Sequence, residues 1–263
     1  MTQDNSKQSS PYGMLTDAHF AHILEYLRQN PRAVMEITKV RVELAASRIR
    51  GLSKDNLRIF DSPTGREIAN TVDHNIDSLL NLGGLIRPQR LIDPLKSIHY
   101  VIANIAALKV LSIGPRSDAE LFGLLAAGFE PQNITGLDLI AYSDWVDLGD
   151  MHAMPYQDNS FDVVMLGWVL AYSADVQSAV NEVLRVARPG AHIAIGWEYS
   201  PLSNEELASK DLTDVSEATR VRHSSEILAY FDGHVDDVIF KSDVHPDLAN
   251  QTSDVIVVFR LKK

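Results

Sequence analysis

The sequence predicts an α/β protein: a doubly wound, mostly parallel sheet of seven strands, one of them antiparallel near an edge, preceded by a helical N-terminal region. Three observations predict it. Residues 1–107 carry apolar side chains at helical spacing. From Lys109 onward, short apolar runs alternate with helix-length segments. The last two runs have no helix-length segment between them. The chain therefore divides into a helical region or cap, residues 1–107, and a sheet domain, residues 108–263.

The first ten residues, MTQDNSKQSS, are polar, and roughly the first 15 are expected to be flexible. Asp17 to Asn30 then places Phe20, Ile23, Leu24 and Leu27 on one helical face. Pro31 stops that helix and suits the first turn of the next. Val34, Ile37, Val40, Val42, Leu44 and Ile49 predict a second helix running to about Gly51. A third is expected over Glu67 to Leu82, closed by Gly83-Gly84. Leu91 to Leu108 suits a fourth, with Pro94 near its start.

Strands are expected at KVLSIG (109–114), NITGLDL (133–139), Trp145 to Leu148, FDVVMLGWV (161–169) and AHIAIGWEY (191–199). Most of these are apolar throughout rather than alternating, as in parallel sheets covered on both faces. Helices fit at Asp118 to Ala127 and Asp175 to Ala187, giving right-handed crossovers. HVDDVIFKSDV (234–244) and SDVIVVFRL (253–261) close the sheet as an antiparallel pair.

Composition narrows the function. The chain has no cysteine, so disulfides and thiolate metal sites are excluded. It has no HExxH, no Walker loop and no spaced set of His and carboxylate residues, so no metal is expected. A net charge of −11 repels a phosphate backbone and argues against nucleic acid. VVMLGWVLAY (163–172) is far shorter than the ~20 residues of a membrane helix. A soluble, cytoplasmic protein without a membrane partner is expected.

In a doubly wound sheet the ligand sits beyond the carboxyl ends of the strands. Gly114 lies there, before a turn in which Ser117-Asp118-Ala119-Glu120 reads as a capping box. Asp138 follows 24 residues later, close to the spacing at which a carboxylate meets a ribose diol. Gly149-Asp150-Met151 follows the third strand, and Gly167-Trp168, with Tyr172, follows the fourth. Asp150 suits an exocyclic amine, and Met151 suits a ring face. Each has a plainer reading too: a tight turn, a solvated strand-end acid, a loop acid, a core tryptophan.

Their order is more specific. GDMHAMPYQDNSFDVVMLGWVLAYSAD, followed by AVNEVLRVARPGAHIAIGWEY, resembles the class I S-adenosylmethionine-dependent methyltransferases of the type 11 group. The matching positions are Gly149, Asp150, Met154, Pro155, Asp158, Ser160, Phe161 and Asp162, then Leu184, Arg185, Pro189 and Gly190. The resemblance spans Lys109 to Tyr199, extends loosely to the last strands, and leaves the N-terminal half uncovered. It implies a Rossmann-like domain over 108–263 that binds S-adenosylmethionine and yields S-adenosylhomocysteine. Gly114 would lie beside the methionine moiety, Asp138 would hold the ribose, and Asp150 with Met151 the adenine. Gly167 and Trp168 would flank the methionine part or the acceptor.

Two departures stand out. The family's usual loop is an acidic residue, one apolar residue, then G-x-G-x-G; here it reads Ser112-Ile113-Gly114-Pro115-Arg116-Ser117-Asp118. Serine replaces the acid, arginine and aspartate replace two glycines, and Pro115 lacks an amide donor. Arg116 could pair with the cofactor's carboxylate, or merely with Asp118 or Glu120. Second, Asp138 to Asp150 is too short for the usual helix between the second and third strands. The exposed strip should be covered by the N-terminal helices or by a second subunit.

The acceptor atom is not legible. A small-molecule or carbohydrate-like (glycan) acceptor methylated on oxygen or nitrogen is expected. Glu198 beside Trp197, Tyr172 and His152 are the candidate catalytic groups, each with a structural alternative. Two other functions compete: a methyltransferase fold retained for binding or assembly, and a nucleotide- or nucleotide-sugar-binding Rossmann protein. A homo-oligomer stays open.

Overall fold

The computed structural model describes residues 15–61, 71–209 and 218–263. The polar tail MTQDNSKQSS and residues 67–70 of the expected third helix lie outside the described residues. Helix α1 (Asp17–Gln29) starts at Thr16, whose hydroxyl accepts from the His19 amide. Helix α2 (Pro31–Glu36) has Pro31 in its first turn. The expected continuation to Gly51 is broken at Ile37 (φ −80°, ψ 100°) and resumes as α3 (Thr38–Ile49). Arg41 holds the break from α3: its buried guanidinium donates to the Met35 carbonyl at 2.5 Å and to Gln89 at 2.6 Å. A freed carbonyl is thus satisfied by a side chain rather than by the next turn.

A short strand, β1 (Arg58–Ile59), precedes α4 (Thr71–Leu80). The single helix expected over 91–108 is two, α5 (Gln89–Lys96) and α6 (His99–Asn104). Pro94 offers no amide inside α5, and the Ser97 hydroxyl takes the Asp93 carbonyl, so the first helix stops early.

The sheet contains β2 (Val110–Ile113), β3 (Ile134–Asp138), β5 (Val146–Leu148), β6 (Phe161–Gly167), β7 (Ala187–Tyr199), β8 (Val235–Ser242) and β9 (Ser253–Leu261). Its order is β5-β3-β2-β6-β7-β9-β8. The first five are parallel, and β9 runs antiparallel to both β7 and β8. This is the expected seven-stranded, Rossmann-like sheet with its antiparallel strand next to an edge. Helices α7 (Asp118–Ala127) and α8 (Val176–Val186) fall where the sequence places them. Two further short helices, α9 (Asn204–Ser209) and α10 (Ser224–Ala229), carry too few turns to leave a period in the sequence.

Each sheet face has its own core. Leu91, Ile92 and Leu95 of α5 and Leu121 of α7 pack on Val110, Val163, Met165 and Val258. On the other face, Val180 and Val183 of α8 and Ile227 of α10 pack on Leu111, Val164, Ile193 and Val257. Successive strand residues such as Val110 and Leu111 therefore serve opposite layers.

The helix-free strip after β3 is closed differently from the expectation. The N-terminal helices α5 and α6 cover the sheet's centre, but at the strip the N-terminal region sends a strand. There β1 pairs antiparallel with β4 (Ile140–Ala141). Trp145 then sets its ring edge-on to Phe122 of α7, centroids 5.9 Å apart. Ala141 and Val146 are buried beneath. Among the described residues no helix is long and apolar enough to cross a membrane.

Candidate active site

At the carboxyl ends of β2, β3, β5 and β6 lies a partly open cleft. Gly114 turns the chain out of β2 with φ 70°, and a Cβ there would stand 2.8 Å from Val169. Glycine is required on both counts. Pro115 is not on the cavity; its ring lies against Gly136 of β3. Ser117 caps α7 through the Ala119 amide at 3.4 Å. The expected capping box is absent, because Glu120 turns inward to Ser112.

Asp138 ends β3 on the cavity wall. One carboxylate oxygen accepts from the Arg116 amide at 3.0 Å, the other from the Ile140 amide at 3.2 Å. Burial raises this carboxyl above its usual range, and those amides oppose the rise. The carboxylate's remaining lone-pair capacity can accept from a ligand hydroxyl.

Asp150 and Met151 face the same cavity. One Asp150 oxygen accepts from the His152 amide at 2.9 Å and lies 2.6 Å from the His152 ring. The other ring nitrogen of His152 lies 2.7 Å from the Ser173 hydroxyl. With both nitrogens engaged and the side chain buried at the cavity wall, His152 braces Asp150.

The Arg116 side chain lines the cavity and pairs with neither Asp118 nor Glu120. It donates to Ser78 at 2.7 Å and to Asn75 at 3.1 Å, fastening α4 over the cavity. Its positive φ of 49° aims its amide at Asp138.

Gly167 and Trp168 line the far side with Tyr172. Trp168 is buried at φ 66°, with Arg87 over its ring at 4.2 Å. Tyr172 stacks on His74, and its hydroxyl lies 3.4 Å from that ring. Burial, then Glu198, raises the Tyr172 pKa, so its hydroxyl stays protonated at neutral pH. Glu198 does not line this cavity. It borders an adjoining groove, where Arg87 donates to it at 3.0 Å. Trp197 beside it points into the opposite core and donates to the Thr219 carbonyl.

Arg87, Thr71, Asn75 and His74 were not legible in the sequence. All come from the N-terminal region, which carries no motif, and only the folding of that region onto the sheet brings them here. The pairing of Glu120 with Ser112 was missed for another reason: the capping-box pattern pointed Glu120 the wrong way.

In a doubly wound α/β domain, two strand-end carboxylates around one cavity mark the place where the fold binds its ligand. Residues 113–195 match the family model described as a methyltransferase domain. The chain is 39% identical over 64 residues to a ubiquinone/menaquinone biosynthesis C-methyltransferase of Ruegeria sp., covering 24% of this chain and 25% of that one. It is 32% identical over 105 residues to the protein of that name from Dinoroseobacter shibae, covering 38% of this chain and 40% of the other. An S-adenosylmethionine-dependent methyltransferase from Thermotoga maritima superposes with a TM-score of 0.46 at 14% identity, over 74% of this chain and 97% of that one. Residues 113–195 are thus similar to a methyltransferase domain, in keeping with the resemblance carried by the sequence motifs. The chain spans 25% to 40% of the length of these two curated relatives.

Proposed function

We propose that the protein transfers the methyl group of S-adenosylmethionine to an oxygen or nitrogen of a small-molecule or carbohydrate-like acceptor. The observation that carries this reading is that Asp138 and Asp150 line one cavity beside the Gly114 turn. The residues suit the cofactor: Asp138 offers two acceptor oxygens to a ribose diol, and Asp150 with Met151 offers an acceptor and an apolar face to adenine. Gly114 leaves room for the methionine part. The cofactor supplies an electrophilic methyl on a sulfonium, and the transfer mainly needs alignment and exclusion of water.

Trp168, Tyr172 and Arg87 close the acceptor side. The protonated Tyr172 hydroxyl can donate to an acceptor oxygen or nitrogen. This polar wall supports a heteroatom acceptor, although the curated relatives are named C-methyltransferases.

Calorimetry tests the reading. S-Adenosylhomocysteine should bind saturably to the full chain, and Asp138→Ala should weaken it at least about tenfold, as expected for losing a hydrogen bond to a charged group. Failure of the wild type to bind either form of the cofactor, or unchanged binding by Asp138→Ala, would overturn it. Tight binding of nucleotide sugars instead would favour the nucleotide-sugar reading.

A further inference from the structure

Glu120 is a buried carboxyl to which the reading above gives no role. It is the third residue of α7, and its side chain is 3% exposed. Instead of reaching back to Ser117, it turns under the cavity. The Ser112 hydroxyl donates to one carboxylate oxygen. The other lies 3.2 Å from the point where a Cβ on Gly167 would stand. Gly167 lines the cavity, and so does Gly114, two residues beyond Ser112. The carboxyl therefore sits one layer beneath the cavity floor, between the ends of β2 and β6.

Among the described residues no cation touches it. Of the charged groups on the surrounding elements, Asp138 on β3 and Arg116 in the turn face it. Asp138 has the same sign, and Arg116 spends its guanidinium on Asn75 and Ser78. On α3, Arg48 is turned to Asp118 at 2.8 Å, and Arg41 to Met35 and Gln89. On α5, Asp93 accepts from Gln89. β2 and β6 bring Ser112 and Gly167. Burial, the largest cause, pushes Glu120 up to about 7, against the opposing Ser112 hydrogen bond. A carboxyl so deeply buried, with a serine for its partner, is costly to ionise until a cation arrives beside it.

Ser112 occupies the position at which the resembled family carries an acid. We propose that Glu120, delivered from α7 and positioned by Ser112, supplies the negative charge beneath the cofactor's sulfonium. Binding of that cation then drives a proton off Glu120. This rests on the reading that the cavity takes S-adenosylmethionine. S-Adenosylhomocysteine keeps the amino and carboxylate groups but lacks the sulfonium, so the two ligands differ in the charge that Glu120 would meet.

The test is calorimetry of the full chain at pH 6.5, in buffers of differing ionisation enthalpy, with each ligand. The wild type should release most of one proton with S-adenosylmethionine and clearly less with S-adenosylhomocysteine. Glu120→Gln, which keeps an acceptor for Ser112, should abolish that difference. It should also weaken S-adenosylmethionine about tenfold relative to S-adenosylhomocysteine. Equal proton release with both ligands, or an unchanged difference in Glu120→Gln, overturns the proposal while leaving the cofactor reading intact. Failure of the wild type to bind either ligand overturns the cofactor reading, and the proposal with it. If Glu120→Gln does not fold, the wild-type comparison of the two ligands decides.

Discussion

Glu198 stands directly opposite Asp254 in the antiparallel register of β7 and β9, and one guanidinium nitrogen of Arg87 joins them, at 3.0 Å and 2.6 Å. Two carboxylates facing each other across a ladder repel. Here an arginine from the N-terminal region bridges the pair. The Trp168 indole donates to the same Asp254 oxygen at 2.8 Å, and Arg90 joins the other. Cap, strand ends and cavity wall thus meet at one ionic junction.

Removing Arg87 should unfasten that junction. Arg87→Met is expected to lower stability by about 2 kcal/mol in urea unfolding, since it leaves opposed, partly buried carboxylates without their shared cation. Asp254→Asn in the same chain should return part of the loss. A double variant no more stable than Arg87→Met would mean that carboxylate repulsion is not the cause.

His152 is assigned to bracing Asp150. Replacing it by alanine should therefore weaken S-adenosylhomocysteine binding by about fivefold, corresponding to one ordinary hydrogen bond lost at the carboxylate. Ser173→Ala, one contact further out, should do less. The check is calorimetry on both variants; an effect of Ser173→Ala exceeding that of His152→Ala would contradict the arrangement.

The Gly114 turn should resist any side chain. Gly114→Ala puts a Cβ 2.8 Å from Val169 at a positive φ of 70°. A loss of about 2 kcal/mol is expected in thermal or chemical unfolding. Val169→Ala should relieve the contact but not the backbone strain, so rescue should be partial. Complete rescue would place the whole cost in the contact.

Glu120 gives the cofactor-free protein a pH dependence of definite sign. Its folded pKa, about 7, lies above the ordinary 4.5. Its favourable contribution is therefore complete below about pH 4.5 and lost as pH rises through 7. Going from pH 4.5 to pH 8, Glu120→Gln should gain on the wild type by on the order of 3 kcal/mol. Urea unfolding at the two pH values measures this, and a gap that stays constant would rule out a raised carboxyl here.

The sheet domain was largely legible because its signals are local. Apolar runs such as FDVVMLGWV bury both faces of a parallel strand, and the Ser117 cap and the closing Gly128 bracket α7 within a few residues. The N-terminal half read less well. The helix breaks at Ile37 and Ile98 are held by Arg41 reaching Gln89 and by a Pro94–Ser97 competition, which periodicity does not register. The strand β1 is two residues long and exists through its partner β4. Proximity along the chain offered Glu120 the Ser117 cap and Arg116 the nearby acids Asp118 and Glu120, whereas Arg116 reaches α4 and Glu120 turns to Ser112.

By itself the sequence determined the strand order's raw material, the strand-end positions of Gly114, Asp138 and Asp150, and the class of cofactor domain, because each depends on residues a few places apart. Tertiary structure decided what closes the cavity and where the charges go. Arg87 meets Glu198 across 111 residues, and Asp254 lies a further 56 beyond Glu198. Such contacts follow from which helix lies over which strand, and that is settled by packing of the whole core rather than by any local pattern.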